Sequence, residues 1–486
     1  MTTVVKILCI ILILQLNPVN AEPIKVHPEN PHYYIYNGEP TILITSAEHY
    51  GGVVNKDFDY VTYFDALKAH KLNYTRIYPG ALFEPMGKFV VGNTLGAKPA
   101  SLIVPWARSN KPGYLVCGSK FDLDRWNPEY FKRLKDFIAQ AGKRGIVVEI
   151  CFFNSQYSDT WPISPLFHEN NIQGVGKGDY LTAQTMKDPD LVKHMDAYVT
   201  KITREVNEFD NVILEICDEP SLFTPHAEAG PWVRHFVPVI RAAEKDLPKK
   251  HLLAQQVEGP VDGPIDLSAD PDVDIIVTQY LYEAGGEQMG GLKALDLKYG
   301  ANKPIEENET DYLPIWYQGD LVGDSRVEAW EFIVGGGGSF NQLNGLFTVE
   351  NPVGDTPDNR QILQALTSLK DFMYGFDFLK MRPDKSYVVG GISQETHFRG
   401  MSQTGRQYAL YLHHGQGGTG SAYKVVPGSF VEQLFLSLPD GSYQADWVDP
   451  SNGSVISSET ITSRGDRIIM TTPRHAVDIA LRIKRS

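Results

Sequence analysis

Runs of apolar residues alternate with amphipathic stretches along the chain from about residue 40 to residue 375. The apolar runs have the length of strands, and several are apolar throughout, which is typical of parallel strands covered on both faces. Eight strands are predicted in this way: Thr41–Ser46, Asn73–Tyr78, Ile146–Phe153, Val212–Ile216, Leu252–Gln256, Ile275–Tyr280, Pro304–Asn308 and Gly338–Leu343.

Helices are predicted between these strands, and two of them have clear start signals. Asn127-Pro128 and Asp188-Pro189 each supply a capping residue followed by proline at the first helical position. Eight strands that alternate with helices form a closed (β/α)8 barrel or an open doubly wound sheet. No G-x-G-x-x-G follows the first strand, so nothing supports the dinucleotide-binding form of the open sheet. We therefore expect an α/β fold of the (β/α)8 TIM barrel type.

The two ends of the chain differ from the barrel region. Residues 1–21 combine Lys6, an apolar stretch and small residues before the end, as in a signal peptide. Asn37-Gly38 lies between two strand-like segments and predicts a hairpin below the barrel. Short strands separated by turns predict an antiparallel β-sandwich over residues 384–486. The expected organisation is a signal peptide at 1–21, the barrel with its hairpin at 22–383, and the sandwich, in a secreted or periplasmic bacterial protein.

Charge and cysteine content exclude several classes of function. The net charge of −14 argues against binding to nucleic acid or to an anionic membrane surface, since both require a basic face. After the predicted signal peptide no apolar run is long enough to span a membrane. Cys117, Cys151 and Cys217 have no metal-binding spacing, and Cys151 and Cys217 are expected to be buried thiols. We expect no metal and no cofactor.

Two of the predicted strands end in acidic residues. Asn211–Pro220 reads N-V-I-L-E-I-C-D-E-P, so an apolar strand ends in Asp218 and Glu219. Alternation along this strand places Glu215, Cys217 and Glu219 on one side, where Glu215 could meet a cation such as Arg76. Charged residues at the end of a buried strand are costly unless they are used.

The second acidic strand end is Lys303–Thr310, K-P-I-E-E-N-E-T. Glu306, Glu307 and Glu309 are candidates here, and alternation places Glu307 and Glu309 on one side. Two carboxyl groups that flank one bond are what glycoside hydrolysis requires, one protonated and one ionised. Carboxyl groups from different strands can meet at the mouth of a barrel.

These two motifs resemble those of the retaining barrel glycosidases that carry catalytic glutamates on strands four and seven, the cellulase-like family 5 enzymes. I-L-E-I-C-D-E-P is similar to their acid/base motif, which usually ends in Asn-Glu-Pro. K-P-I-E-E-N-E is similar to their strand-seven motif, a Lys-Pro followed by apolar residues and a terminal glutamate. The resemblance implies Glu219 as acid/base and Glu309 as nucleophile, acting on a carbohydrate substrate.

Further positions match the same family. Arg76, in N-Y-T-R-I-Y, matches the arginine that holds the nucleophile, and Tyr282 matches the tyrosine that hydrogen-bonds it, although Tyr280 stands where the family has histidine. Five more residues are candidate sugar contacts: His49, Tyr50, Asn154, Trp161 and Asn341. Asn341 ends the run W-E-F-I-V-G-G-G-G-S-F-N, which resembles the passage into strand eight of cellulase-like proteins that end in a collagen-binding type of sandwich.

Asp218 departs from the family pattern, in which an asparagine at this place donates to the 2-hydroxyl of the sugar. An ionised aspartate cannot donate. We therefore expect Asp218 either to accept from this hydroxyl or to be protonated beside Glu219. The alternative function is a non-catalytic carbohydrate-binding or matrix-adhesion protein built on a decayed barrel.

Overall fold

The computed structural model describes residues 22–47, 50–89, 92–279, 282–284, 287–289, 291–310, 319–343, 345–417 and 423–486. Its centre is a sheet of eight parallel strands. The strands are β1 (Leu43–Ala47), β2 (Tyr74–Ile77), β3 (Val147–Asn154), β4 (Val212–Asp218), β5 (Leu252–Gln256), β6 (Ile275–Thr278), β7 (Ile305–Glu307) and β8 (Ser339–Leu343). Neighbouring strands pair in the order β1-β8-β7-β6-β5-β4-β3-β2.

Asn73, directly before β2, joins the two ends of this sheet. Its backbone N–H donates to the carbonyl of Ile44 in β1 at 3.3 Å. Its side-chain oxygen accepts from the N–H of Ile44, and its amide nitrogen donates to the carbonyl of Ile42, both at 3.0 Å. One side chain thus replaces a rung of backbone hydrogen bonds and closes the barrel. The predicted (β/α)8 barrel is confirmed.

Helices surround the barrel: α1 (Tyr60–Ala69), α2 (Pro128–Gly142), α3 (Pro189–Val206), α4 (His226–Glu244), α5 (Gly291–Lys298), α6 (Leu321–Val334) and α7 (Pro357–Tyr374). Asn127 and Asp188 cap α2 and α3 with their side chains, and a proline follows each, as predicted. Residues 257–274 connect β5 to β6 without a helix. None of the described helices is long and apolar enough to cross a membrane.

A small sheet lies below the barrel, formed by Lys25–Val26, Tyr34–Tyr36 and Glu39–Thr41. Asn37 and Gly38 both have positive φ, 53° and 79°, as the tight turn predicted from Asn-Gly requires. Tyr34 packs against the first residues of several barrel strands, among them Tyr74 and Val147. The hairpin therefore covers the end of the barrel that is opposite to the carboxyl ends of the strands, as predicted.

Two antiparallel sheets follow the barrel and face each other across a separate apolar core. The larger contains, in spatial order, Arg382–Pro383, His397–Gln403, Gln407–His413, Asp478–Arg485, Gly441–Val448 and Val455–Ser463, and the smaller contains Val388–Gly390, Gln433–Leu436 and Ile468–Thr471. The predicted β-sandwich is confirmed, while its exact boundary at residue 384 stays a prediction.

Shorter elements lie in the connections. They are the paired strands Trp106–Pro112 and Ser119–Trp126, the paired strands Gly415–Gly417 and Tyr423–Val425, the strands Gly259–Pro260, Tyr282–Ala284 and Glu287–Met289, and the 3-10 turns Trp161–Ile163, Tyr299–Ala301 and Phe378–Lys380. The first pair lies in the segment between β2 and α2.

The sandwich packs on α6 through an ion pair and a pair of stacked aromatic rings. Arg326 forms a two-bonded ion pair with Asp478, at 2.8 and 3.0 Å, and Tyr411 donates to the same carboxylate at 2.9 Å. Trp330 stacks on Tyr411, with 5.4 Å between ring centres. Tyr411 and Asp478 lie on two neighbouring strands of the larger sheet, so α6 packs against one face of the sandwich.

Asn73 provides a test of barrel closure. Asn73→Ala removes the acceptor for Ile44 and the donor for Ile42, leaving two polar backbone groups without their partners. We expect the free energy of unfolding to fall by about 1–3 kcal/mol, measured by urea denaturation. Asn110→Ala, at an exposed position, is the control and should change it by less than about 0.5 kcal/mol. Equal effects of the two substitutions would contradict the closure role.

Candidate active site

Arg76 lies at the centre of the barrel mouth and is completely buried. Its Nε and Nη2 contact Glu215 at 2.8 and 2.6 Å, Nη2 contacts Asp218 at 3.0 Å, and Nη1 contacts Glu309 at 3.4 Å. One cation thus faces three carboxylates, two from β4 and one from the segment after β7. The predicted contact between Arg76 and Glu215 is confirmed, and Arg76 also reaches Glu309.

Asp218 is buried and accepts from four donors. Arg76 and Gln279 donate to Oδ1, the latter at 2.8 Å, while Tyr78 and Asn154 donate to Oδ2, the latter at 2.6 Å. Alternation along the strand predicted that the side chains of Glu215, Cys217 and Glu219 lie on one side. In the structure, Asp218 is the residue that contacts Arg76 together with Glu215. Asp218 is the last residue of β4, so the alternation of the strand no longer fixes the direction of its side chain.

Glu219 follows β4 and is 3% exposed. Its φ of 48° lies in the left-handed region, which is unfavourable for a residue with a side chain. The surroundings hold this conformation: the N–H of Glu219 donates to Gln256 Oε1 at 2.7 Å, and Ser155 donates to its carbonyl. Strained backbone of this kind is concentrated at functional sites.

The three glutamates after Pro304 point in different directions. Glu306 faces the barrel interior, where it accepts from Tyr74, and Glu307 faces Glu328 of α6. Glu309 lies at the mouth against Arg76, with 15% of its side chain exposed. The prediction that Glu307 and Glu309 share a side is wrong, because β7 ends at Glu307 and its alternation does not continue to Glu309.

The charges around Arg76 shift the carboxyl pKa values in opposite directions. Burial alone would raise the pKa of Asp218, but Arg76, Tyr78 and Gln279 lower it below its usual value. Burial, Asp218 and Glu219 raise the pKa of Glu309, and Arg76 opposes them. Asp218 is therefore the carboxylate that most readily stays ionised.

Deeper in the barrel, two further carboxyls lie against each other. Burial and the neighbouring Glu306 raise the pKa of Glu149, and burial raises the pKa of Glu306 to about 8. Two such groups hold a proton at neutral pH, since both cannot be ionised side by side. The interior below Arg76 therefore carries less negative charge than its composition suggests.

Tyr50, after β1, and Asn341, of β8, both contact the residue before Glu309. The hydroxyl of Tyr50 donates to the carbonyl of Asn308 at 3.2 Å, and the amide of Asn341 donates to the same carbonyl at 2.9 Å. Both residues thus fix the backbone directly before Glu309. Tyr50 has a φ of 59°, a second strained position at the mouth.

The remaining predicted contacts have different outcomes. Trp161 is 2% exposed and its indole N–H donates to the carbonyl of Gly178, so its ring presents no open face to a ligand in this structure. His49 and Tyr280 lie outside the described residues, as does the predicted signal peptide. Tyr282 begins the strand Tyr282–Ala284, and its bond to the nucleophile stays a prediction.

Sequence reasoning missed several polar residues that complete the site. Tyr78, Gln256 and Gln279 follow or end apolar strands, and all three hydrogen-bond to residues of the acidic strand end. Glu258 is 2% exposed and accepts from the N–H of Ser221 at 2.9 Å. Polar residues at the carboxyl ends of apolar strands are the signal that could have found them.

The histidine pair and the cysteines also have clear positions. His413 and His414 are 0% and 6% exposed; His413 packs against Glu331 and His414 stacks on Phe430. Cys151 and Cys217 are buried free thiols, as expected. Over the described ranges, no group of three or more potential ligands is arranged to hold a metal ion.

Comparison with known proteins adds the fold relationship. No protein-family model matches the chain, and no curated protein sequence matches it. A solved structure named as a glycoside hydrolase aligns with 96% of this chain and 97% of its own, with a TM-score of 0.60 and 12% identity. A glycoside hydrolase family 5 structure from Bacteroides vulgatus aligns with 95% and 93%, with a TM-score of 0.61 and 12% identity. The chain has the fold of these glycoside hydrolases. The alignments cover nearly the whole chain, so the fold they share includes the sandwich.

Arg76→Met tests how the central cation holds the site together. The substitution leaves Glu215, Asp218 and Glu309 without their cation, and we expect a loss of about 3–5 kcal/mol in the free energy of unfolding near pH 8. Glu215 and Glu309 already have raised pKa values in the folded protein, so the stability they contribute is lost as pH rises above their ordinary pKa.

Without Arg76 both pKa values rise further, so the penalty should be smaller near pH 5 than near pH 8. Urea denaturation at the two pH values measures it, with Arg125→Met, at an exposed arginine, as the control. A penalty that does not depend on pH would contradict the electrostatic role of Arg76.

Proposed function

We propose that the protein is a retaining glycoside hydrolase, with Glu309 as nucleophile and Glu219 as acid/base. The observation that carries the proposal is the convergence of Glu219, after β4, and Glu309, after β7, on the mouth of a barrel whose buried Arg76 contacts Glu309. The fold shared with glycoside hydrolases supports the same assignment.

Each group has a defined task in this reaction. Glu309, ionised, attacks the anomeric carbon of the sugar, while Glu219 gives its proton to the oxygen of the leaving group as the glycosidic bond breaks. Water then attacks the glycosyl-enzyme ester, giving up a proton to Glu219 and releasing Glu309. Two displacements at one carbon retain its configuration.

The surroundings support this division of roles. Arg76 favours the ionised form of Glu309. Glu219 is held through its backbone, whose N–H donates to Gln256 and whose carbonyl accepts from Ser155. Asn308, one residue before the nucleophile, is fixed by Tyr50 and Asn341. Precise placement of the attacking atom is a large part of such catalysis.

The substrate class follows from the same site: an oligosaccharide or polysaccharide with an O-glycosidic bond. Tyr157 is partly exposed. Burial and the nearby charges of Glu219 and Glu309 raise the pKa of its hydroxyl. Its ring contacts those of Phe89 and Phe223, at 5.6 and 5.1 Å between centres. Aromatic rings beside a pair of carboxyls offer a flat apolar surface to a sugar. Secretion by the predicted signal peptide is consistent with an extracellular polysaccharide.

Digestion of a panel of plant, algal and microbial polysaccharides tests the activity, with proton NMR recording the configuration of the first product. We expect retention, and we expect Glu219→Gln and Glu309→Gln each to lower kcat/KM by about 10³-fold or more. Glu459→Gln, at an exposed glutamate of the sandwich, is the matched control and should be active. Inverted product, or full activity without Glu309, would refute the proposal.

A further inference from the structure

Protein groups surround the Asp218 carboxylate, and Glu309 also lies within hydrogen-bond reach of it. An ionised carboxylate has about four lone-pair sites, and Arg76, Gln279, Tyr78 and Asn154 occupy two on each oxygen. Only 1% of its side chain is exposed. The geometry differs from the sequence-based expectation that Asp218 accepts from a sugar hydroxyl, because protein donors already fill the place of that hydroxyl.

The donors of Arg76 are divided unequally among its partners. Nε and Nη2 lie 2.6–3.0 Å from the oxygens of Glu215 and Asp218, while Nη1 lies 3.4 Å from Glu309. The shorter contacts are thus made to the two carboxylates of β4, and the candidate nucleophile has the longest one. Removing one β4 carboxylate would leave the guanidinium free to bind Glu309 more closely.

We propose that Asp218 is a positioning residue that competes with Glu309 for Arg76 and makes no contact with the sugar. This inference rests on the proposed function, because it concerns how the nucleophile of that reaction is controlled. An asparagine in place of Asp218 would keep the shape and most of the hydrogen bonds but would leave Arg76 with one competitor fewer.

Electrostatics gives the direction of the effect. Several titratable or charged groups surround Glu309 and Asp218: Arg76 and Tyr78 from β2 and its end, Tyr50 after β1, Cys151 of β3, Tyr157 after β3, Glu215 and Glu219 on or after β4, and Glu258 after β5. Of the groups just named, all within the described residues, Arg76 carries the positive charge and the others are neutral or negative. Because Asp218 is a further anion beside Glu309, it favours the protonated form of the nucleophile and moves the onset of activity to higher pH.

Asp218 also orients two neighbouring side chains. Asn154 Nδ2 lies 2.6 Å from Asp218 Oδ2 and 3.1 Å from the hydroxyl of Tyr78, so the three groups form a closed set of hydrogen bonds. Gln279 connects the set to Asn308, the residue before Glu309, through bonds of 2.8 Å to each. Asp218 is therefore linked to Glu309 both through charge and through this chain of amides.

The first test is a pH titration of Glu309 that needs no substrate. Infrared difference spectra of the full-length protein record the carboxylic acid band that is present in the wild type and absent in Glu309→Gln. In Asp218→Asn we expect this band to disappear at a pH lower by about one unit, the size of effect that one nearby charge has. Asp371→Asn, an exposed aspartate paired with Lys71, is the matched control and should leave the band unchanged.

Two further variants separate charge from general disturbance of the site. Glu215→Gln removes the other carboxylate that competes for Arg76, so the band should shift in the same direction. This variant replaces Asp218→Asn in the test if Asp218→Asn does not fold. Tyr78→Phe removes a donor to Asp218 but keeps the charge, so the midpoint of the titration should not fall. If the band of Asp218→Asn titrates at the wild-type pH or at a higher pH, the proposal is overturned.

Kinetics on the substrate found by polysaccharide digestion form the second test. We expect the acid limb of kcat/KM to move to lower pH in Asp218→Asn, with KM at the optimum within about twofold of the wild type. A rise in KM of about tenfold or more with an unmoved acid limb would identify Asp218 as a sugar contact instead and refute the positioning role. If no hydrolysis is found with any substrate, the infrared titration still decides on Asp218, so failure of the proposed function is distinguishable.

Discussion

A single buried guanidinium determines the geometry of the barrel mouth. Arg76 has no exposed surface, and removing such a charge from water costs several kcal/mol unless ion pairs and hydrogen bonds replace the lost hydration. Glu215, Asp218 and Glu309 provide that replacement. Because these carboxylates come from β4 and from the segment after β7, the need to neutralise Arg76 brings the ends of three strands together.

The barrel contains more carboxyl groups than Arg76 alone can neutralise. Shared protons and neutral amide donors stabilise the remaining carboxyl groups. Glu149 and Glu306 lie against each other below Arg76 with raised pKa values, so they need no second cation. Around Asp218, amide groups of Asn154 and Gln279 supply donors without adding charge. A site built in this way can hold several carboxyls close together and still keep one ionised and another protonated, as a two-carboxyl mechanism requires.

The sandwich contributes to the same unit through α6. Trp330 and Arg326 lie on this helix and contact Tyr411 and Asp478 of the sandwich, while Glu328 of the same helix faces Glu307 of β7. The helix that follows the candidate nucleophile is therefore packed between the barrel and the sandwich. This arrangement explains why α6 is buried on nearly all sides and lacks the polar face of an ordinary barrel helix.

Most of the fold could be predicted from the sequence, because its signals are local. Apolar runs of strand length, the capping pairs Asn127-Pro128 and Asp188-Pro189, and the turn at Asn37-Gly38 each act through neighbouring residues. The same holds for the two acidic strand ends, since a charged residue after a buried strand is visible in the sequence itself.

Only the tertiary structure decided which acidic residues share the mouth. Alternation failed at Glu307 and Asp218, because each lies at the end of a strand, where the backbone leaves the regular pleat. Contacts between residues far apart in the chain carry the rest: Tyr78 and Gln279 on Asp218, and Asn73 across the barrel seam. No local pattern records such contacts, since they exist only once the eight strands have closed into a barrel.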